Sequence, residues 1–341
     1  MERLDKYSSS AVNLMKACCL IGVVAIHSDP MLYHYESRQG LELLAFILEQ
    51  LQYVCVPFFF MLSGYLFFYN LQGFDFSAIC RKWKSRIKSL VVPYILWGTI
   101  FAMARFLGAK YFGFESFGTF VDGKFSFTGF LTCFWDTGYG YPLDFPLWFV
   151  RNLIIFVVCA PVVYFIGKYW VLTAICVLLS TFNIPTFSAE FFIYGAALGI
   201  HQINPYKVLQ KHIWSISVVW LMAMYLCNYR TERFMDILYV SGFGVLAPLF
   251  VLAVKRFPRV SKFADKQSNA FFFIYALHGM YAPKLTEILE GIIGYANAFS
   301  WLATLLLATL LNTLLGYLIY VVAAHLLPRF TNLLCGGRQQ R

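Results

Sequence analysis

At 341 residues, 60% of them hydrophobic, 19% aromatic and only 13% charged, with a mean hydropathy of +0.65, the chain lies far outside the composition of soluble globular proteins and reads as a polytopic membrane protein. The net charge of +10 would suit nucleic acid, but Lys and Arg sit in short clusters between apolar spans, as the positive-inside rule produces, so no nucleic-acid partner is expected. Nine cysteines, an odd number, fall mostly inside apolar segments (Cys18, Cys19, Cys55, Cys159, Cys176, Cys227) and read as small apolar packing, with neither a disulfide framework nor a CxxC metal site.

A bilayer span takes about 20 mostly apolar residues. By that measure the chain offers about ten: 10–28, 44–69, 89–107, 147–167, 169–184, 187–202, 212–229, 235–254, 268–290 and 299–327. The expectation is an all-α polytopic transmembrane helical bundle forming one membrane-embedded domain over 1–341, with no linker, repeat or appended soluble domain. The first apolar segment is not followed by a small-residue cleavage site, so it is expected to stay as a helix. The fifth and sixth spans are short and suit a tilted pair or a hairpin around Pro185.

Sorting the basic residues between spans gives orientation. One side collects Arg3 and Lys6, the Arg81 to Lys88 cluster, Lys168, Lys207, Lys211, the Lys255 to Lys266 cluster, Arg329, Arg338 and Arg341, 18 in all; the other collects Arg38, Lys110, Lys124, Arg230 and Arg233, which is 5. That asymmetry places both termini in the cytoplasm. The longest outer loop is then about 108–146, rich in glycine and aromatics, with Glu115, Asp122, Asp136 and Asp144. Aromatic and acidic side chains together suit a sugar-like ligand; aromatics also gather at any membrane interface.

Within the first span, Val12 to His27, Lys16 and His27 lie 11 positions apart, about 20° past three helical turns and about 16 Å along the axis, so they share one face. Ionisable groups in a membrane helix turn to a bundle interior or wet cavity and mark function, although Lys16 alone also reads as a residue snorkelling to the headgroups. In the second span, Ser63-Gly64 sits in the bulky run Phe58-Phe59-Phe60-Met61-Leu62-Ser63-Gly64-Tyr65, where it allows close approach of another backbone or of a slender ligand. Arg81, Lys82, Lys84, Arg86 and Lys88 then place five cations within eight residues before Val92-Pro93-Tyr94. Such a cluster suits phosphates or anionic lipid headgroups. Span four opens Pro146-Leu147-Trp148-Phe149-Val150-Arg151-Asn152, and Glu190 opens span six, so an Arg151–Glu190 pair is one reading of both. Span nine, Phe271-Phe272-Phe273-Ile274-Tyr275-Ala276-Leu277-His278, carries a second histidine. His27, Arg151, Glu190 and His278 are expected in one half of the bilayer, and several ionisable groups at one depth point to a site. The six histidines show no metal-ligand spacing; His34, His201, His212 and His325 read as loop or interface residues.

Taken in order, the Lys16-x10-His27 pair, the Phe59 to Tyr65 run, the basic segment leading into Pro93-Tyr94, the Pro146 to Arg151 opening and the Phe272 to His278 run resemble the acyltransferase-3 family of bacterial integral-membrane acyltransferases, over nearly the whole chain. The compact kind that O-acetylates cell-envelope glycans is the nearest subgroup. The chain departs from the family in having Lys16 where Arg is commoner, and in mixing Lys into its basic segment. The resemblance implies an O-acetyltransferase of a bacterial cytoplasmic (inner) membrane, multi-pass, moving an acyl group, usually acetyl, from cytoplasmic acyl-CoA to a hydroxyl of an extracytoplasmic or lipid-linked glycan. No tightly bound cofactor is implied; acetyl-CoA, or another acyl-CoA, is the donor substrate. With that implication, Ser63, Gly64, Arg81, Lys82, Lys84, Arg86, Lys88 and Tyr94 are the expected donor-binding residues. His27 is the expected general base on the acceptor hydroxyl, an acyl-imidazole being the alternative. Lys16 is expected to hold an anionic part of the donor or to bias the field along the path, and Arg151 to stabilise an oxyanion or position an acidic glycan, with Glu190 and His278 completing the site. A reading from another class is a transporter or flippase using Lys16, His27, Arg151, Glu190 and His278 as a relay, against which stands the lack of an internal repeat or visibly broken helices.

Overall fold

The structure, a computed structural model, describes residues 6–30, 40, 42–69, 71, 73–112, 126–181, 188–229, 235–294 and 297–337. Glu115, Asp122, Pro185, His34 and the basic residues Arg3, Arg38, Lys124, Arg230, Arg233, Arg338 and Arg341 lie outside the described residues. Among the described residues the regular structure is all helix. Among the described residues five helices are long and apolar enough to cross a membrane: Ser8–Ile26, Glu42–Phe68, Phe76–Phe112, Met235–Arg256 and Ala298–Leu326. Phe145–Val158 and Ala160–Lys168, bent by 75°, make a sixth if they are one span; Ala189–Ile200 and Ile213–Cys227 are shorter apolar helices.

Prolines explain where the apolar runs break. The first helix, Lys6–Ile26, stops just short of Pro30, which disfavours helical backbone at Asp29, so His27 falls in the turn after the span rather than inside it. Glu42–Tyr53 and Cys55–Phe68 part at Val54 because Pro57 has no N–H to bond back to Tyr53. The 75° bend follows Val158, with Pro161 in the first turn of the next helix. The run expected as one span over 268–290 is instead Ser268–Leu277, a 3-10 turn His278–Met280, and Ala282–Ile293. Pro283 cannot bond to Gly279, four residues back, and the helix opens there. Broken segments are therefore present, contrary to the sequence expectation.

The chain forms two compact units, each drawn from three stretches. The first comprises Met1–Ile26, Gly40–Trp83 and Phe156–Ser268. At its centre Cys55–Phe68 and Ala189–Ile200 pack backbone to backbone: a Cβ at Gly64 would overlap the Phe192 carbonyl oxygen, and one at Gly195 the Met61 carbonyl oxygen. Small residues let membrane helices approach this closely. The first helix is tied to Pro258–Lys266 by Asp265, which accepts from Ser10 Oγ and Asn13 Nδ2, both at 2.9 Å.

The second unit comprises His27–Gln39, Lys84–Ile155 and Asn269–Arg341. A π-helical stretch, Ile87–Val91, leads into Val92–Phe112. The last helix, Pro328–Leu334, packs on that element, where Trp97 Nε1 donates to the Leu334 carbonyl at 3.1 Å. The 29-residue helix Ala298–Leu326 begins in a capping box made by Asn297 and Ser300, and carries buried Trp301 and Asn312.

Candidate functional site

The second unit brings together the two histidines singled out in the sequence. The ring centroids of His27 and His278 are 5.2 Å apart, and the edge of Phe145 closes on both, at 4.6 Å from His27 and 6.4 Å from His278. His278 is wholly buried and His27 half-buried, so His27 is the more accessible imidazole. His278 Nδ1 lies 2.6 Å from the Tyr275 carbonyl oxygen. A carbonyl only accepts, so the proton sits on Nδ1 and Nε2 presents a lone pair. That Nε2 has no hydrogen-bond partner among the described residues. Burial, and then the neighbouring His278 ring, hold His27 below the usual imidazole range, so it is neutral near pH 7.

The turn that carries His27 is held by the Ala298–Leu326 helix. Asn312 Nδ2 donates to Ser28 Oγ at 2.9 Å and to Thr286 Oγ1 at 3.3 Å, and Trp301 Nε1 donates to Asp29 Oδ1 at 3.0 Å. These bonds are buried, where an alternative partner in water is absent.

A third group stands at the same place. Asp144, 1% exposed, immediately precedes Phe145, and its Oδ1 lies 3.3 Å from where a Cβ on Gly279 would be, the residue after His278. Neither carboxyl oxygen has a hydrogen-bond partner among the described residues. Burial without a hydrogen-bond partner disfavours the carboxylate, which pushes this carboxyl well above the ordinary carboxylate range and favours the neutral acid. Tyr94 and Tyr275 are within electrostatic reach of it. Their hydroxyls donate to the carbonyls of Phe134 and Pro146. Sequence reasoning named Asp144 only as one of four acids in a long loop; its position directly before the apolar Phe145-Pro146-Leu147-Trp148 was the available signal.

Arg151, for which a carboxylate pair was one reading, belongs to this unit and bonds to backbone carbonyls. Its guanidinium donates to the carbonyls of Trp135 and Gly140, the latter at 3.0 Å, and to Asn152 Oδ1 at 3.2 Å, and it lies over the Trp135 ring. It thereby fastens a loop that Asp136 shapes, accepting from the Gly138 and Gly140 amides at 2.8 Å each. The loop displays Tyr139 stacked on Tyr141, both exposed.

The other expected residues are distributed more widely. Lys16 is half-buried on the first helix, and Glu190 is buried in the first turn of Ala189–Ile200; both lie in the first unit. Ser63 is half-buried there, and the space beside Gly64 is filled by helix backbone, which replaces the ligand-facing reading of that glycine. Of the basic segment, Arg81 is exposed and held by Asp75 at 3.6 Å and Ser77 at 3.0 Å, while Lys82 donates to the Phe67 carbonyl. Lys84, Arg86 and Lys88 fall in the second unit, with Lys84 and Lys88 exposed and Arg86 half-buried. Tyr94 stands with Asp144 and Tyr275 rather than with the cations. Six residues separate it from Lys88, about 9 Å of helix rise. Among the described residues no group of three His, Cys, Asp or Glu is placed to hold a metal ion.

The chain matches the acyltransferase-3 family, described as an acyltransferase domain, over residues 9–321. It is also similar to the succinoglycan biosynthesis protein ExoH of Rhizobium meliloti (strain 1021), 22% identical over 216 residues, which covers 58% of this chain and 55% of that protein. The chain thus spans about half the length of this curated relative. No solved structure matches the chain.

Proposed function

The chain belongs to the acyltransferase-3 family, and from that premise we propose that this membrane acyltransferase moves an acyl group, acetyl first among the candidates, from cytoplasmic acyl-CoA to a hydroxyl of a cell-envelope glycan. The observation that carries the reading is the pair of neutral imidazoles at the broken helix, one half-buried and one buried behind it, in a wall otherwise made of aromatic rings. Acyl transfer from a thioester needs a base on the attacking hydroxyl, donors for the developing oxyanion, and exclusion of water. A neutral imidazole packed against aromatic rings can supply the first of these.

In this reading neutral His27 accepts the proton of the acceptor hydroxyl, a step worth about 10² to 10⁴ in rate. The oxygen attacks the thioester carbonyl, the C–S bond breaks, and the proton returns to the departing thiolate. An acyl-imidazole on the same ring is the second form of the mechanism. His278, with its tautomer set by Tyr275, is a fixed neighbour that disfavours a resting charge on His27. The donor's phosphates are assigned to Lys84, Arg86 and Lys88, all of the second unit. Tyr94 links the two ends, since the helix that starts beside the cations brings it within electrostatic reach of Asp144. Succinoglycan in the relative's name supports a saccharide acceptor, and we place the protein in a bacterial inner membrane.

Acyl-CoA consumption by purified wild-type protein, in detergent and in sealed vesicles, tests this. Free CoA released with an acceptor saccharide present, equally in both formats, is expected. The broken helices give a transporter reading its own support; acceptor-independent movement of solute only in sealed vesicles would favour it.

A further inference from the structure

We propose that Asp144 is a catalytic residue of this site: its carboxylic acid donates a hydrogen bond to the carbonyl oxygen of the acyl group as that oxygen takes up negative charge. The inference rests on the acyl-transfer reading and adds to it the donor that reading lacks.

The donors named so far in this part of the unit are already committed. The hydroxyls of Tyr94 and Tyr275 donate to backbone carbonyls, and Arg151 is spent on the loop carbonyls of Trp135 and Gly140 and on Asn152. Asp144 is the contrast, with both oxygens buried and neither bonded among the described residues. Burying a polar group without a partner is costly, and a site that keeps one calls for an explanation such as a ligand that completes it. Position supplies the ligand's nature. Oδ1 faces Gly279 beside His278, where a side chain would run into Pro146 Cδ at 2.8 Å, and Phe145, the next residue, packs on His27. A thioester carbon attacked next to the His27 ring therefore has its oxygen within the neighbourhood of Asp144.

The chemistry is also specific to an acid that stays protonated. A carboxylate would repel an oxyanion, whereas a carboxylic acid kept neutral by its apolar surroundings donates to one. The titratable groups placed against Asp144 are Tyr94 and Tyr275, within electrostatic reach of it, and His278, next to the Gly279 that Oδ1 faces. In the step, the hydroxyl proton goes to the imidazole, the new C–O bond forms, and the carbonyl π pair moves to the oxygen bonded by Asp144. Collapse then expels the thiolate, which takes the proton from the imidazolium. Asp144 ends the cycle protonated as it began, so atoms and charge balance without a further reactant.

The test compares wild-type protein with Asp144→Asn and Asp144→Val, each as the full chain in membranes, with acyl-CoA and acceptor varied. Valine is near the same size and removes a buried unbonded carboxyl, so a merely structural role leaves turnover at the wild-type level. The proposal predicts a loss of about 10² to 10³ in kcat for Asp144→Val with little change in either KM, and retention of most turnover by Asp144→Asn, whose amide still donates. It also predicts that wild-type activity falls at alkaline pH as the acid ionises, and that Asp144→Asn loses that limb. Valine protein turning over at the wild-type rate, or asparagine protein as inactive as valine protein at equal abundance, overturns the proposal. If the valine protein does not accumulate, the alkaline limb of the asparagine protein decides alone: its disappearance supports the proposal and its persistence overturns it. Wild-type protein that releases no CoA fails the acyl-transfer reading itself, a result distinct from all of these.

Discussion

Replacing Asn312 by alanine should slow acyl transfer without touching either substrate. The Asn312 side chain is fully buried and makes two hydrogen bonds, to Ser28 at 2.9 Å and to Thr286 at 3.3 Å, of which the first restrains the turn that begins with His27. Hydrogen bonds between membrane helices are worth about 0.6 kcal/mol on average, and bonds in soluble proteins about 1 kcal/mol. Two of them give about 1 to 2 kcal/mol. If that restraint serves to place the imidazole, the same free energy appears in the barrier, a fall of about 5- to 30-fold in kcat. Trp301→Phe, which removes only the indole N–H bond to Asp29, is the graded control and should cost about 3- to 5-fold. The hydrogen bond from the Tyr281 hydroxyl to the Asn312 carbonyl survives the alanine change, so the helix contact itself persists. The assay is initial-rate acyl transfer in membranes at matched protein abundance, with kcat separated from the KM for acyl-CoA. Wild-type kcat in an Asn312→Ala protein, or a change confined to KM, would refute the idea that these bonds position the base.

Three further outcomes follow from the same structure. Arg151→Met removes the guanidinium from the Trp135 and Gly140 carbonyls; amide exchange over 135–141 should quicken by tenfold or more, and an unchanged exchange rate would show that the loop holds itself. Gly195→Ala drives a methyl into the Met61 carbonyl and should cost about 1–3 kcal/mol, read as a lower Tm in detergent, whereas an unshifted Tm would mean the two helices separate freely. Because burial depresses His27, its basic form persists as pH falls; the acid limb of kcat/KM should lie below the ordinary imidazole value of about 6.5, and a limb at or above that value would contradict a buried base.

Much of this could be read in the chain before any coordinates. Composition and apolar runs pointed to the membrane helices, and the coincidence of two histidines at one depth pointed to His27 and His278, which are neighbours. Apolarity hid the breaks, since a run such as 268–290 is continuous in hydropathy while Pro283 interrupts its hydrogen bonding. Arg151 was legible as a cation near the start of a span but its partners were not, because they are backbone carbonyls of a loop 11 to 16 residues away in sequence, and carbonyls leave no residue-type signature. Asn312 carried a signal that apolar counting passed over: a lone amide inside a 29-residue apolar helix needs a partner in lipid. Asp144 is set apart from Asp136, the other described acid of its loop, by its burial beside Gly279, a tertiary fact.

The most direct measurement is the rate at which His27→Ala protein, purified alongside wild type and a control with the exposed Ile21→Leu change in the same helix, transfers the acyl group of acetyl-CoA to a saccharide hydroxyl. A general base at that position predicts a fall of about 100-fold or more for the alanine protein at equal abundance, with the control near wild type. Wild-type turnover by well-folded His27→Ala protein would contradict the assignment of the base on which the proposed mechanism depends.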